Sequence, residues 1–184
     1  MKIGLYFGSF NPIHIGHLAI AQFMVNFEGF DKILFIVSPQ NPLKNSANLM
    51  DENKRIEMVR LSIADNPNFE CSDIEMTLPK PSYTVITLKE LSKKYPNDEL
   101  SIIMGSDALE SLPKWKDVDS ILKYNIVVYK RTDHVLNPYP ENLHIRILET
   151  PLVKISATYI RELINENKSV RYLVKDDIVP LLKN

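Results

Sequence analysis

Short apolar runs recur along the chain and alternate with longer amphipathic stretches. Six runs are typical of buried β-strands, at residues 3–7, 32–37, 69–74, 100–104, 125–129 and 144–148. The stretches between them predict helices at residues 18–25, 51–64, 84–94, 108–112, 118–122, 157–165 and 176–182. This alternation predicts an α/β, Rossmann-like, doubly wound fold with a mainly parallel sheet and helices on both faces.

Two polar segments interrupt this alternation. Residues 40–50 contain Pro42 and show no clear period, so we expect a loop there. Residues 131–140 contain two prolines and predict a mobile surface loop.

Length and composition narrow the class of protein. The chain has 184 residues and a net charge of −1, so we expect one domain over residues 1–184 and no broad attraction to nucleic acid. The single cysteine, Cys71, excludes an internal disulfide framework and predicts a half-buried thiol.

The sequence also bears on location and assembly. Without a membrane-length apolar run or a signal peptide, we expect a cytoplasmic protein with no membrane partner. An exposed apolar face would allow a homo-oligomer.

The junction between the first strand and the first helix carries the candidate chemistry. Residues 8–17 read GSFNPIHIGH. Ligands bind at such junctions in open α/β sheets, and the free N–H groups of a helix start favour anions. His14 and His17 share a helical face, and each imidazole can donate to a phosphate oxygen. Gly16 leaves room for a ligand to approach the backbone. The plainer alternative is one capping histidine and one core histidine.

Two common phosphate-binding signatures do not occur in the chain. There is no GxGxxG after the first strand and no GxxxxGK[ST] anywhere. The sequence therefore disfavours a dinucleotide oxidoreductase and a P-loop enzyme.

Residues 8–17 resemble the signature of the nucleotidyltransferases that carry an HxGH motif. That resemblance implies transfer of a nucleotidyl group from a nucleoside triphosphate with release of pyrophosphate. Asn11 stands where Asp is commoner, and we expect little change because both residues make Asx-type turns.

A second motif lies near the C-terminus, where residues 155–161 read ISATYIR. Ser156 can cap a helix. The free N–H groups at the start of that helix and the Arg161 guanidinium would suit polyphosphate oxygens. An ordinary cap with a solvated arginine is the alternative. The segment resembles the family's ISxTxIR motif, which contacts the triphosphate, with Ala157 in place of the commoner Ser.

Further segments resemble the bacterial nicotinate-nucleotide adenylyltransferase family. Residues 40–44, reading QNPLK, are similar to its PPHK/R loop, with Leu43 replacing the usual His. Residues 82–84, 105–107 and 112–115 are similar to its SYT, G[SQ]D and LxxW elements. In that family the tryptophan region stacks on the pyridine ring and the Tyr-Thr segment binds its carboxylate.

The resemblance implies a reaction of ATP with nicotinate mononucleotide that gives nicotinate adenine dinucleotide and pyrophosphate. Its catalytic residues would be His14, His17, Lys44 and Arg161. Its ATP-binding residues would be Gly8, Ser9, Phe10, Gly16, His17, Gly105, Asp107, Ser156, Thr158 and Arg161. Its mononucleotide-binding residues would be Asn41, Lys44, Tyr83, Thr84 and Trp115.

No Asp or Glu cluster suggests a dedicated metal site, so Mg²⁺ would be held mainly by the substrate phosphates. Two alternatives stay open. One is pantetheine-phosphate adenylyltransferase, which shares the HxGH start but not the SYT and LxxW elements. The other is a nucleotide-binding regulator without turnover.

Overall fold

The computed structural model describes residues 1–40, 48–130, 144–150 and 154–182. Within these ranges a six-stranded sheet has the order β3-β2-β1-β4-β5-β6. The strands are β1 (Lys2–Gly8), β2 (Lys32–Val37), β3 (Phe69–Ser72), β4 (Glu99–Gly105), β5 (Asn125–Tyr129) and β6 (Ile145–Leu148). Every pairing is parallel, which confirms the doubly wound α/β prediction and makes this sheet parallel throughout.

Helices connect these strands. They are α1 (Ile15–Glu28), α2 (Glu52–Ile63), α3 (Thr84–Lys94), α4 (Ser106–Ser111), α5 (Val118–Ile121), α6 (Ala157–Asn165) and α7 (Val179–Leu182), with 3₁₀ turns at Ile74–Thr77, Leu112–Lys114 and Asp176–Ile178. None of the helices in the described ranges is long and apolar enough to span a bilayer.

Two apolar clusters cover the two faces of the sheet. Alternate strand residues point to opposite faces, so Phe35 and Ile103 pack against α1, α2 and α6, whereas Leu34 and Ile102 pack against α3, α4 and α5. The prediction of helices on both faces is therefore confirmed.

The centre of the sheet leaves little room for side chains. β1 lies between β2 and β4, and Gly4 of β1 pairs with Ile33 and Ser101. A Cβ atom on Gly4 would lie 2.5 Å from Cδ1 of Ile103. Strands β2 and β3 lie on one side of β1, whereas β4, β5 and β6 lie on the other. The strand order therefore reverses between β1 and β4, and α/β sheets form ligand crevices at such points.

Several element boundaries differ from the sequence predictions by up to three residues. Helix α1 begins at Ile15, three residues earlier than expected, because the helical turn includes Gly16 and His17. Strand β3 ends at Ser72, since a 3₁₀ turn begins at Ile74. Helix α4 begins at Ser106 directly after β4. The predicted loop at residues 131–140, and residues 41–47 of the loop predicted at 40–50, lie outside the described residues.

The C-terminal part of the chain contacts the start of α1. The backbone N–H of Ile15 donates to the carbonyl of Leu173 at 2.9 Å. This bond satisfies a helix N–H that has no partner inside the helix. Residues far apart in sequence therefore hold the helix that carries the histidines.

Candidate active site

A cavity of about 1080 Å³ lies at the carboxyl ends of β1 and β4. Of the residues predicted to bind a substrate, thirteen line it: Gly8, Ser9, Phe10, His14, His17, Tyr83, Thr84, Gly105, Asp107, Trp115, Ser156, Thr158 and Arg161. The structure thus brings the separate sequence motifs to one edge of the sheet. Asn41 and Lys44 lie outside the described residues.

The two histidines form a stacked pair at the start of α1. Their ring centroids are 3.7 Å apart with 27° between the planes. His14 is the N-cap residue, and its backbone N–H donates to Nδ1 of His17 at 3.2 Å. Because Nδ1 accepts this hydrogen bond, the neutral His17 ring carries its proton on Nε2, where it can donate to a ligand.

Gly16 has a different neighbour from the one we expected. A Cβ atom on Gly16 would lie 3.0 Å from Nδ1 of His14. The glycine therefore makes room for the His14 ring, and Gly16 does not line the cavity. Its predicted contact with ATP stays a prediction.

Helix α6 presents its N-terminus to the same cavity. Ser156 is its N-cap, as predicted, and the Ser156 hydroxyl accepts from the backbone N–H of Tyr159 at 3.1 Å. Arg161 donates from one terminal nitrogen to the carbonyl of Asn11 at 2.7 Å and from the other to the Thr158 hydroxyl at 3.2 Å. The guanidinium thus links α6 to the turn before α1.

The opposite wall of the cavity carries aromatic rings. The Trp115 indole N–H donates to the Ser111 hydroxyl at 3.1 Å. The indole also packs against the apolar cluster that contains Leu34 and Ile102. Nζ of Lys116 lies 4.3 Å from the centre of the Tyr83 ring, within cation–π distance. This wall combines ring surface with positive charge.

Gly105 and Asp107 lie where β4 passes into α4. Gly105 is the N-cap residue of α4, so Asp107 stands inside the first turn. Asp107 is therefore not the N-cap of this helix. It lines the cavity, where its carboxylate can meet a hydroxyl of a bound ligand.

Asn11 does not act as the local turn residue that we expected. Its Nδ2 donates to the carbonyl of Asn48 at 2.8 Å, and its Oδ1 accepts from the backbone N–H of Met50 at 3.0 Å. The amide therefore joins the turn before α1 to the segment before α2. An aspartate could make only the second of these bonds when ionised.

Sequence reasoning missed two tyrosines in the cavity wall. The hydroxyls of Tyr6 and Tyr129 lie 3.0 Å apart and are buried. Phe10 contacts the Tyr6 ring edge-on at 5.8 Å and the His17 ring at 5.1 Å, with a positive φ of 45°. The available signal was the placement of Tyr6 and Tyr129 near the carboxyl ends of the apolar runs at residues 3–7 and 125–129.

Sequence reasoning also missed the buried carboxyl of Glu75. Only 2% of Glu75 is exposed, and its Oε1 accepts from the Thr87 hydroxyl at 2.8 Å. Burial raises the pKa of this carboxyl above its ordinary value, while the hydrogen bond from Thr87 partly opposes the rise.

The thiol of Cys71 is not suited to act as a nucleophile. Cys71 is half-buried as predicted, and burial raises the pKa of its thiol to about 11, so the thiol is protonated and poorly nucleophilic at neutral pH.

Among the described residues, no group of three or more His, Cys, Asp and Glu side chains is placed to hold a metal ion.

Comparison with known proteins decides the family. Residues 5–163 match the family model described as cytidylyltransferase-like. A protein of Cytophaga hutchinsonii named "Probable nicotinate-nucleotide adenylyltransferase" is 47% identical over 99% of this chain and 95% of its own length. The chain belongs to the nicotinate-nucleotide adenylyltransferase family. A Bacteroides fragilis member with the same name is 42% identical over 94% of this chain and 87% of its own. The resemblance drawn from the motifs is confirmed.

Solved structures show that this family member shares its fold with more distant proteins. The nicotinic acid mononucleotide adenylyltransferase of Plasmodium falciparum, complexed with NaAD, superposes with a TM-score of 0.77 at 18% identity. The match covers 98% of this chain and 92% of the other. The same Plasmodium enzyme complexed with APC gives a TM-score of 0.77 at 17% identity, with 98% and 95% coverage.

Proposed function

We propose that this protein transfers the adenylyl group of ATP to nicotinate mononucleotide, giving nicotinate adenine dinucleotide and pyrophosphate. The observation that carries the proposal is the stacked pair of His14 and His17 at the N-terminus of α1, facing a cavity that Arg161 also lines. Imidazole donors, a guanidinium and the N-terminus of α6 converge there, as binding of a polyphosphate requires. The relatives named above support this assignment.

The reaction forms one P–O bond and breaks another. A phosphate oxygen of the mononucleotide attacks the α-phosphorus of ATP, and the bond from that phosphorus to the bridging oxygen of the β-phosphate breaks. The attacking oxygen is already ionised at neutral pH, so no general base is required. The protein has to align the two nucleotides and offset negative charge, which are the main contributions in phosphoryl-type transfer.

Each group in the polyphosphate half of the cavity has a proposed task. His14 and His17 donate to the α- and β-phosphate oxygens. Arg161 and Lys44 hold the charge of the remaining phosphates, and Ser156 and Thr158 line the path to them. Gly8, Ser9 and Phe10 admit the nucleotide along the backbone, and Asp107 receives a ribose hydroxyl beside Gly105.

The aromatic wall suits the acceptor nucleotide. Trp115 offers a ring face to the pyridine, and backbone groups of Tyr83 and Thr84 bind its carboxylate. We assign Asn41 to the same half. The positive charge of Lys116 above the Tyr83 ring favours an anionic ring substituent on this side.

The metal in this proposal enters with ATP. Asp107 and the buried Glu75 are the acidic side chains that line the cavity in the described residues, and neither belongs to a metal-binding cluster. This donor set fits a Mg²⁺ ion that keeps its phosphate and water ligands. Such an ion supplies charge neutralisation on the triphosphate.

A panel of acceptors tests the proposal. Pyrophosphate release from ATP is measured with nicotinate mononucleotide, nicotinamide mononucleotide and phosphopantetheine in parallel. We expect turnover to be highest with nicotinate mononucleotide. Highest turnover with phosphopantetheine would favour pantetheine-phosphate adenylyltransferase, and release with none would favour a regulator.

Three expectations stay predictions: a cytoplasmic location, one domain over residues 1–184 and a homo-oligomer. Light scattering would test the homo-oligomer.

A further inference from the structure

Arg55 of α2 is fully buried behind the candidate active site, with 0% of its surface exposed. Its NH1 atom donates to the carbonyls of Ser9 and Ser38, both at 2.7 Å. Its Nε donates to the carbonyl of Met50 at 3.0 Å, and its NH2 to that of Pro39 at 3.1 Å. One guanidinium therefore holds three separate chain segments through their backbones.

The charge of Arg55 is solvated by peptide groups. No ion pair of Arg55 with a carboxylate occurs among the described residues. Burial lowers the pKa of the guanidinium, and the nearby carboxylates of Glu52 and Asp51 oppose this shift. A buried charge is costly unless hydrogen bonds replace its water. The four carbonyls supply that replacement.

The side chain is also chemically specific. Arg55 lies on the buried face of α2 with Ile56 and Val59, where an apolar residue would pack without a charge. Only a planar guanidinium has five N–H donors in a fixed fork that can reach carbonyls in several directions. A lysine at this position would keep the charge but could not bridge the same carbonyls at once.

Two of the held segments form the cavity wall. Ser9 follows β1 in the turn that leads to His14, and Ser38 follows β2; both line the cavity. The backbone N–H of Ser38 also donates to the carbonyl of Gly8 at 2.9 Å. Arg55 therefore sets the spacing between the ends of β1 and β2, next to the turn that carries His14.

We propose that Arg55 is a positioning residue for the adenylyl transfer, acting by fixing the β1 and β2 ends against each other. This inference rests on the proposed function. A displacement of about 1 Å in a reacting group can cost on the order of 10²-fold in rate. Loosening this contact should therefore lower kcat more than it changes KM for either nucleotide.

The test compares Arg55→Lys with Arg60→Lys. Arg60 lies on the same helix, is exposed and pairs with Asp73 at 2.9 Å, so its substitution controls for a charge-conserving change in α2. Both variants are assayed well below their melting temperatures. We expect kcat of Arg55→Lys to fall roughly 10- to 100-fold with a smaller change in KM, and Arg60→Lys to match the wild type. A folded Arg55→Lys variant with wild-type kcat overturns the proposal.

A second pair of variants keeps the proposal testable if Arg55→Lys does not fold. Arg55→Gln removes the charge and keeps two donors, and Arg60→Gln is its control. A folded Arg55→Gln with wild-type kcat also overturns the proposal. If both Arg55 variants fail to fold while both Arg60 variants fold, Arg55 acts through stability alone and the positioning role is wrong.

The two proposals fail in different ways. If the wild type releases pyrophosphate with none of the acceptors, the proposed function is wrong. Arg55 is then judged on ATP affinity by calorimetry, with a roughly 10-fold weaker Kd expected for Arg55→Lys because the misplaced cavity wall binds less well. An unchanged Kd in that case overturns the positioning role as well.

Discussion

The ring of His17 contacts the ring of His14, 3.7 Å away centroid to centroid, and the ring of Phe10, 5.1 Å away. These contacts limit the rotation of the imidazole. We predict that His17→Ala lowers kcat by orders of magnitude, because removing one well-placed donor to developing charge costs roughly 10²–10³-fold. Steady-state pyrophosphate release measures it, and near-normal turnover would contradict the assigned role.

Two companion variants separate chemistry from structure. His17→Asn keeps an acceptor near the position of Nδ1 for the His14 N–H, so it should melt close to the wild type and still be inactive. His144→Ala removes an exposed histidine and should leave turnover unchanged.

Trp115→Leu should weaken binding of the acceptor alone. Leucine keeps apolar bulk but loses ring stacking, worth about 0.5–1.5 kcal/mol. We expect KM for nicotinate mononucleotide to rise roughly 2- to 13-fold, with KM for ATP unchanged. Tyr172→Leu, at a ring that is 80% exposed and outside the cavity, is the matched control. An equal rise in both KM values would assign Trp115 to packing instead.

Asn11→Asp should destabilise the protein at neutral pH. The carboxylate would face the Asn48 carbonyl, 2.8 Å from the present amide nitrogen, and leave that carbonyl without its donor. The loss is about 1–3 kcal/mol in the free energy of unfolding. Asn26→Asp is the control, since Asn26 is exposed and accepts its hydrogen bond from Gln22. Urea unfolding of both variants at pH 7 and pH 4 should show the deficit shrinking at the lower pH.

Glu75→Gln should change how stability depends on pH. Burial raises the folded-state pKa of Glu75 above its ordinary 4.5, so the folded protein binds this proton more tightly than the unfolded chain. The resulting stability is fully present below pH 4.5 and is lost as the pH rises through the folded-state pKa. The variant should therefore gain in melting temperature relative to the wild type from pH 4 to pH 8. A pH-independent difference would contradict this.

Local patterns predicted the sheet and most of the cavity. Apolar runs such as β4 have few alternatives to burial, and the glycines and histidines of residues 8–17 have a recognisable spacing. The carboxyl ends of parallel strands meet at one edge, so motifs at residues 8–17, 82–84, 105–107 and 155–161 could be brought together from the topology alone.

Long-range polar contacts could not be predicted in the same way. Arg55 resembles any helical arginine in sequence, because its four carbonyl partners are defined only once three segments have folded together. Asn11 was expected to act within its own turn, yet its partners lie 37 and 39 positions away. The role of Gly16 depended on where the His14 ring would turn, which spacing does not specify.

The contact between Ile15 and Leu173 also has a consequence for the order of events in protein synthesis. A ribosome must have added Leu173 before the N–H at the head of α1 meets its carbonyl. The start of α1, although made early, lacks this contact until that residue has left the ribosome. Nascent chains should therefore hold the histidines of α1 in their final place only after residue 173 has emerged.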